Sequence, residues 1–82
     1  MADDKEIRSH IGDLVAEEHR LRQKRSRAEI SADAEHARLR EIETELDQAW
    51  DLLRQREARR EFGENPDEAH IRPEDVVERY EG

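Results

Sequence analysis

The groups able to do chemistry here are four histidines, His10, His19, His36 and His70, scattered among 23 Asp and Glu residues. A carboxylate-bridged metal bundle takes a Glu-x-x-His from inward helix faces. No histidine has a Glu three residues before it. Within the helical segments only Asp33 and His36 come near that spacing, on the first turn of the second helix. In the helix frame His10 points away from the apolar seam, and His19 lies beyond Val15. A zinc-protease His-Glu-x-x-His, a phosphate-cradling glycine loop and a nucleophile elbow are all missing. Ser9, Ser26 and Ser31 lack triad partners. The chain is therefore expected to be non-enzymatic, with no cofactor. A carboxylate–histidine metal-binding bundle ranks third among its readings.

Arginine offers a different chemistry. Arg20, Arg22, Lys24, Arg25 and Arg27 form one dense basic run, and Arg54, Arg56, Arg59 and Arg60 another. Phosphate binding draws on such clusters through counterion release. Against it stand a net charge of -8, an acidic neighbour for each run, and no aromatic platform for bases. A nucleic-acid- or ribosome-associated role for the basic segment 20–27 is thus the second reading.

The elements that would position these groups follow from composition and periodicity. At 82 residues and 46% charged, the chain has room for one small domain. Without cysteine it has neither disulfides nor thiolate metal sites. No apolar run approaches a membrane span, and Met1 to Arg8 lacks the apolar core of a secretory signal. At about 100° per residue, Ile7, Ile11, Leu14, Leu21 and Ala28 fall in one stripe, with Val15 at its edge. Leu39, Ile42, Leu46, Ala49, Trp50 and Leu53 fall in a second. The opposite faces are charged, so two amphipathic helices are expected rather than a solvated coil.

Helix one is expected over about residues 4–28, capped by Asp3 or Asp4. Helix two runs over about 32–62, capped by Ser31 and closed by Gly63 and Pro66. The short link makes them antiparallel neighbours. Residues 1–63 thus form an all-α hairpin and 64–82 a tail. Folding about Ile30 sets Ile7 against Leu53, Ile11 against Trp50, Leu14 against Leu46 and Leu21 against Leu39. It also sets basic Arg54 to Arg60 beside Asp3, Asp4 and Glu6, and Arg20 to Arg27 beside Glu35, Glu41, Glu43 and Glu45. Gly12 is read either as a tolerated defect within the helix or, in preference, as a close approach of the helices beside Trp50. Glu18 and Arg25 interrupt the seam near His36, most simply as a wet, frayed end.

A lone hairpin buries each seam residue on one side only, and small two-helix units usually need a staple or a partner. Leu52 projects about 60° outside the stripe, and Val15 flares to the far edge. Val15, Ala49, Trp50 and Leu52 are therefore expected to join two hairpins into a homodimeric four-helix bundle. In the tail, Asn65 to Glu68 read as a turn, and Pro73 opens a short helix to about residue 80. Phe62, Ile71, Val76, Val77 and Tyr80 would be its docking contacts, on the bundle or on another protein; the alternative is a loose tail, since so short a helix does not hold alone.

Several blocks carry a resemblance. They are Ile11-Gly12-Asp13-Leu14-Val15-Ala16-Glu17-Glu18-His19-Arg20-Leu21-Arg22, Glu35-His36-Ala37-Arg38-Leu39-Arg40, and Leu46-Asp47-Gln48-Ala49-Trp50-Asp51-Leu52-Leu53-Arg54-Gln55-Arg56. Arg59-Arg60-Glu61-Phe62-Gly63-Glu64-Asn65-Pro66-Asp67 and Val76-Val77-Glu78-Arg79-Tyr80 continue the match. Nearly the whole chain resembles a family of short actinobacterial proteins catalogued as domain of unknown function 2630. The resemblance implies a bacterial cytoplasmic protein and brings no activity, cofactor or catalytic residue. Family members often carry Cys where this chain has Ala49, so no redox role carries over. The reading of the whole is a self-associating helical hairpin acting as a small adaptor or accessory subunit.

Overall fold

The computed structural model describes residues 3–73 of the chain. Two helices, α1 (Asp4–Ser26) and α2 (Ala32–Glu61), pack as an antiparallel hairpin. A 3-10 turn, Pro66–Glu68, follows. Both helices start where side chains satisfy the first free amides. Asp3 accepts from the Glu6 amide at 2.8 Å, and Ser31 from the Ala34 amide at 3.1 Å. Asp4 and Glu6 sit at the positive end of α1, and Arg59 and Arg60 at the negative end of α2.

Each helix closes with paired backbone bonds around one left-handed residue. At α2 that residue is Gly63 (φ 73°), with Glu64 N–H bonded to the Arg59 carbonyl at 2.7 Å. At α1 it is Ala28 (φ 58°), with Glu29 N–H bonded to the Lys24 carbonyl at 2.8 Å. Helix one therefore stops short of the expected residue 28. Reversing the chain needs a left-handed residue there, and Ala28 takes that conformation despite its Cβ.

The apolar core runs along the seam. Ile7, Ile11 and Leu14 of α1 and Ile42, Ala49 and Leu53 of α2 are buried. Leu46 packs on the cluster while half-buried, and Leu21 and Leu39 are half-buried toward the hairpin end. Trp50 is not in the core: it is 44% exposed, and Ala49 holds the buried place instead. Around the helix axis Trp50 stands well off the line through Ile42, Ala49 and Leu53, so it turns to an outer flank. Gly12 is not a close approach either, since a Cβ there would meet nothing within 4 Å.

The charge register agrees with the expected fold. Arg56 and Arg60 meet Asp4, and Arg25 meets Glu35 at 3.9 Å. Among the described residues Glu41, Glu43 and Glu45 make no ion pair with the basic run, and Glu41 meets Arg38 on its own helix at 2.8 Å. Arg38 also crosses the seam to Glu17, at 2.9 Å for its second bond. Glu18 bonds Arg22 along its own helix at 3.1 Å while Arg25 crosses to Glu35, and among the described residues no ion pair joins Glu18, Arg25 and His36.

Candidate functional site

Helix α2 presents three different faces, and the tail occupies one of them. Gln48, Asp51, Gln55 and Arg59 recur at helical spacing beside the apolar seam. Over this stripe the chain runs from Gly63 to Pro73 as a strap. Asp51 is its anchor and, at 1% exposure, the most enclosed charged side chain among the described residues. Arg72 forks onto the Asp51 carboxylate, with Nε donating to Oδ2 at 2.9 Å and Nη2 to Oδ1. Gln55 donates to Asp51 Oδ2 at 3.0 Å and to the His70 carbonyl at 2.7 Å. Gln48 donates to the Arg72 carbonyl at 3.2 Å. The two glutamines thus cap carbonyls of a segment that has no helix or sheet to satisfy them.

Arg56 ties the other end. Its Nε donates to Asp4 Oδ1, and its Nη1 to the Pro66 carbonyl and Asp67 Oδ1, both at 3.1 Å. Arg60 closes on Asp4 as well, and Arg59 reaches Glu64 and Glu68 at 3.2 and 3.4 Å. One guanidinium therefore joins the start of α1, the last turns of α2 and the 3-10 turn.

These contacts set the titration of the strap. Hydrogen bonds from Arg60 and then Arg56 bring the Asp4 carboxyl from 3.8 to about 2. The Arg72 bond lowers Asp51 against the opposing effect of burial, with Gln55 assisting. A carboxyl depressed in the fold stabilises it fully above its unfolded pKa, and that contribution is lost as pH falls through the folded value. Melting temperature should therefore fall from about pH 4 toward pH 2 as Asp4 takes up its proton, and protonation of Asp51, also lowered in the fold, removes a further contribution. Thermal scans of wild type and Asp51→Asn check this. Asp51→Asn should melt lower near neutral pH, and the gap should narrow as the wild-type carboxyl is protonated.

On the strap side, α1 and α2 leave a largely apolar cleft of about 370 Å³, lined by Ile7, Ala49, Leu52 and Ile71 beside His10 and Glu45. The opposite flank carries Trp50 beside Arg8 and Arg54. Val15 lies on the Arg8 side of α1 and is 38% exposed.

The four residues expected at a dimer interface are thus not on one surface. Ala49 is buried in the hairpin, Leu52 faces the strap, and only Trp50 and Val15 share an open flank. The physical reason is angular: Trp50 and Leu52 project about 200° apart. Of the residues expected to dock the tail, Phe62 and Ile71 lie among the described residues, and Ile71 borders the apolar cleft. Phe62 and Ile71 are 76% and 62% exposed, and the strap is held by polar groups. Val76, Val77, Tyr80 and the expected helix after Pro73 lie outside the described residues.

The strap's anchors, Asp51, Gln55, Arg56 and Arg72, were absent from the expected site. Their signal was present as a polar stripe flanking the seam, in which glutamines replace the charges seen elsewhere. Among the described residues no three His, Asp or Glu side chains gather as metal ligands. Nor is any helix there long and apolar enough to cross a membrane.

The comparisons place the chain in a family. A family model described as "Protein of unknown function (DUF2630)" matches residues 3–82. Uncharacterized proteins of Mycobacterium tuberculosis and Mycobacterium bovis are 54% identical over 79 residues, covering 96% of this chain and 91% of each relative. No solved structure matches. A match spanning the hairpin, the strap and the tail together makes this chain a member of the DUF2630 family.

Proposed function

We propose that the chain is a non-enzymatic, self-associating helical hairpin that serves as a small adaptor or accessory subunit in the bacterial cytoplasm. The observation that carries this reading is the flank holding Trp50 and Val15, 44% and 38% exposed beside half-buried Leu46. Tryptophan is the side chain most often found as an interface anchor, because its ring removes much apolar area from water at little entropic cost. The carboxylates with the most perturbed acidity support a structural rather than a chemical role. Asp4, Asp51 and Glu17 are each engaged by arginines that tie the chain to itself.

Trp50 is the single tryptophan, so the molecule carries its own reporter. With rising concentration, light scattering should move from monomer to dimer mass while the emission shifts to shorter wavelength. Trp50→Ala should weaken dimerisation by about 2 kcal/mol, roughly thirtyfold, with helix content retained. A wild-type protein that stays monomeric, with unshifted emission, up to about 1 mM overturns the reading.

A further inference from the structure

Along the Trp50 flank, α2 carries a second periodic pattern, distinct from the seam and bordering the strap's Asp51 and Arg72 at Arg54. His36, Glu43, Trp50 and Glu57 recur every seven residues, and Arg40, Asp47, Arg54 and Glu61 interleave with them. These eight positions share one stripe, about 110° round the helix from the seam. Seven of the eight are exposed, and Asp47 is half-buried. The charges on this stripe, like those of Arg8, Arg20 and Arg27, are open to an outside partner. Arg25, Arg38, Arg56, Arg59 and Arg60 each have a carboxylate partner in the chain. Arg40, Glu43, Asp47, Arg54, Glu57 and Glu61 make no ion pair among the described residues.

We propose that this stripe is the docking face for a second copy of the chain, α2 against α2 and antiparallel, about a two-fold axis passing between Gln48 and Ala49. The inference rests on the self-association proposed above and supplies its geometry. A two-fold antiparallel contact pairs each member of one heptad series with a member of the other. In this register Arg40 faces Glu57 of the second copy, Glu43 faces Arg54, and His36 faces Glu61. Trp50 lies over Asp47, and the two indole rings are offset by three residues, about 4.5 Å along the axis, within reach of each other.

The parallel pairing and the whole-heptad slips meet like charges. A parallel pairing sets Arg40, Glu43, Asp47, Arg54, Glu57 and Glu61 each against itself. Sliding the antiparallel pair by one heptad sets Glu43 against Asp47 in one direction. In the other it sets Glu43 against Glu61 and Asp47 against Glu57. Like-charge juxtaposition selects against wrong partners and registers more than it sets raw affinity. Arg8, beside Arg54 in the same cleft, adds a second cation at the level of the second copy's Glu43.

The test is charge reversal in the full chain, read by sedimentation velocity, with circular dichroism confirming that the exposed substitutions leave the helices intact. Each single reversal, Glu43→Arg or Arg54→Glu, alters two symmetry-related pairs and should weaken dimerisation about tenfold. The double variant Glu43→Arg/Arg54→Glu should return to the wild-type constant. The chain has no cysteine, so Glu43→Cys mixed with Arg54→Cys should give mostly mixed dimers with a short thiol cross-linker. A wild-type dimer indifferent to the single reversals, a double variant as weak as the singles, or cross-linking mainly between identical variants would each overturn the register while leaving self-association standing. A wild type that is monomeric throughout overturns both.

Discussion

Ile42→Ala should cost about 2–5 kcal/mol of folding free energy, toward the upper end of that range. Ile42 is 0% exposed, the most enclosed aliphatic side chain of the hairpin. It sits one helical turn after Arg38, which reaches across the seam to Glu17 and holds that stretch of the two helices together. Truncation removes buried methyl and methylene groups and leaves a void that a two-helix layer fills only by shifting a whole helix. A chain of 82 residues has about 4–12 kcal/mol of stability to lose, so the variant should be partly unfolded at ambient temperature. Urea melts followed by circular dichroism measure this. Val15→Ala, on the open flank, is the control and should shift the midpoint of dilute protein by well under 1 kcal/mol. Equal effects at the two positions would mean that the seam does not lie where the burial places it.

That control marks what was legible in the sequence and what was not. Ile7, Ile11, Leu14, Ile42 and Leu53 could be placed because a 3.6-residue period, uninterrupted by proline and bounded by Asp3, Ser31 and Gly63, admits one antiparallel solution. The pairing of Asp4 with Arg56 was legible for the same reason, since the fold brings opposite charges to the same level. Trp50 was misplaced because periodicity reports that a residue is apolar and near the stripe, but not which edge it occupies. A broad apolar arc on α2 holds Trp50 on one flank, Ala49 in the middle and Leu52 beyond. Only the position of α1 decides which of the three is buried. Gly12 was misread with Trp50, because the close approach assigned to it depended on a ring that faces elsewhere.

The strap was illegible for a deeper reason. Apolar side chains announce a shared destination by their periodicity. A polar contact such as Asp51 with Arg72 depends on one donor meeting one acceptor 21 residues away. In a chain with 15 basic and 23 acidic residues, many such pairs are conceivable. What singles out Asp51 is burial, which a sequence does not display. The tail was expected either to dock, with Phe62 and Ile71 receiving it, or to stay loose; within the described residues both are mostly in water while Gln48, Gln55 and Arg56 hold backbone carbonyls. The consequence reaches the flank as well. A polar strap borders the Leu52 side of α2, and none of its described residues lines the Trp50 side.

Arg56→Ala should be the most damaging polar substitution, costing about 2–4 kcal/mol. Arg56 is 6% exposed and holds Asp4, the Pro66 carbonyl and Asp67 at once. Alanine leaves the carbonyl and the Asp67 carboxylate without that donor and opens a void where the guanidinium stem packed. The loss should stay below that of an isolated buried pair, because Asp4 retains Arg60 and Asp67 is half in water. Arg56→Lys should recover only part of it. One ammonium keeps the charge, but its flexible stem lacks the planar fork that spans a carboxylate and a carbonyl on different elements. Hydrogen exchange separates a local effect from a global one. The amides of Glu68 and Ala69, bonded to the Asn65 and Pro66 carbonyls at 3.1 Å, should lose protection first. Those around Ile42 should fall only by the global loss in stability. If the two regions instead lost protection together, the strap and hairpin would open as one unit, and Arg56 would be a core residue rather than a clasp between the chain's two ends.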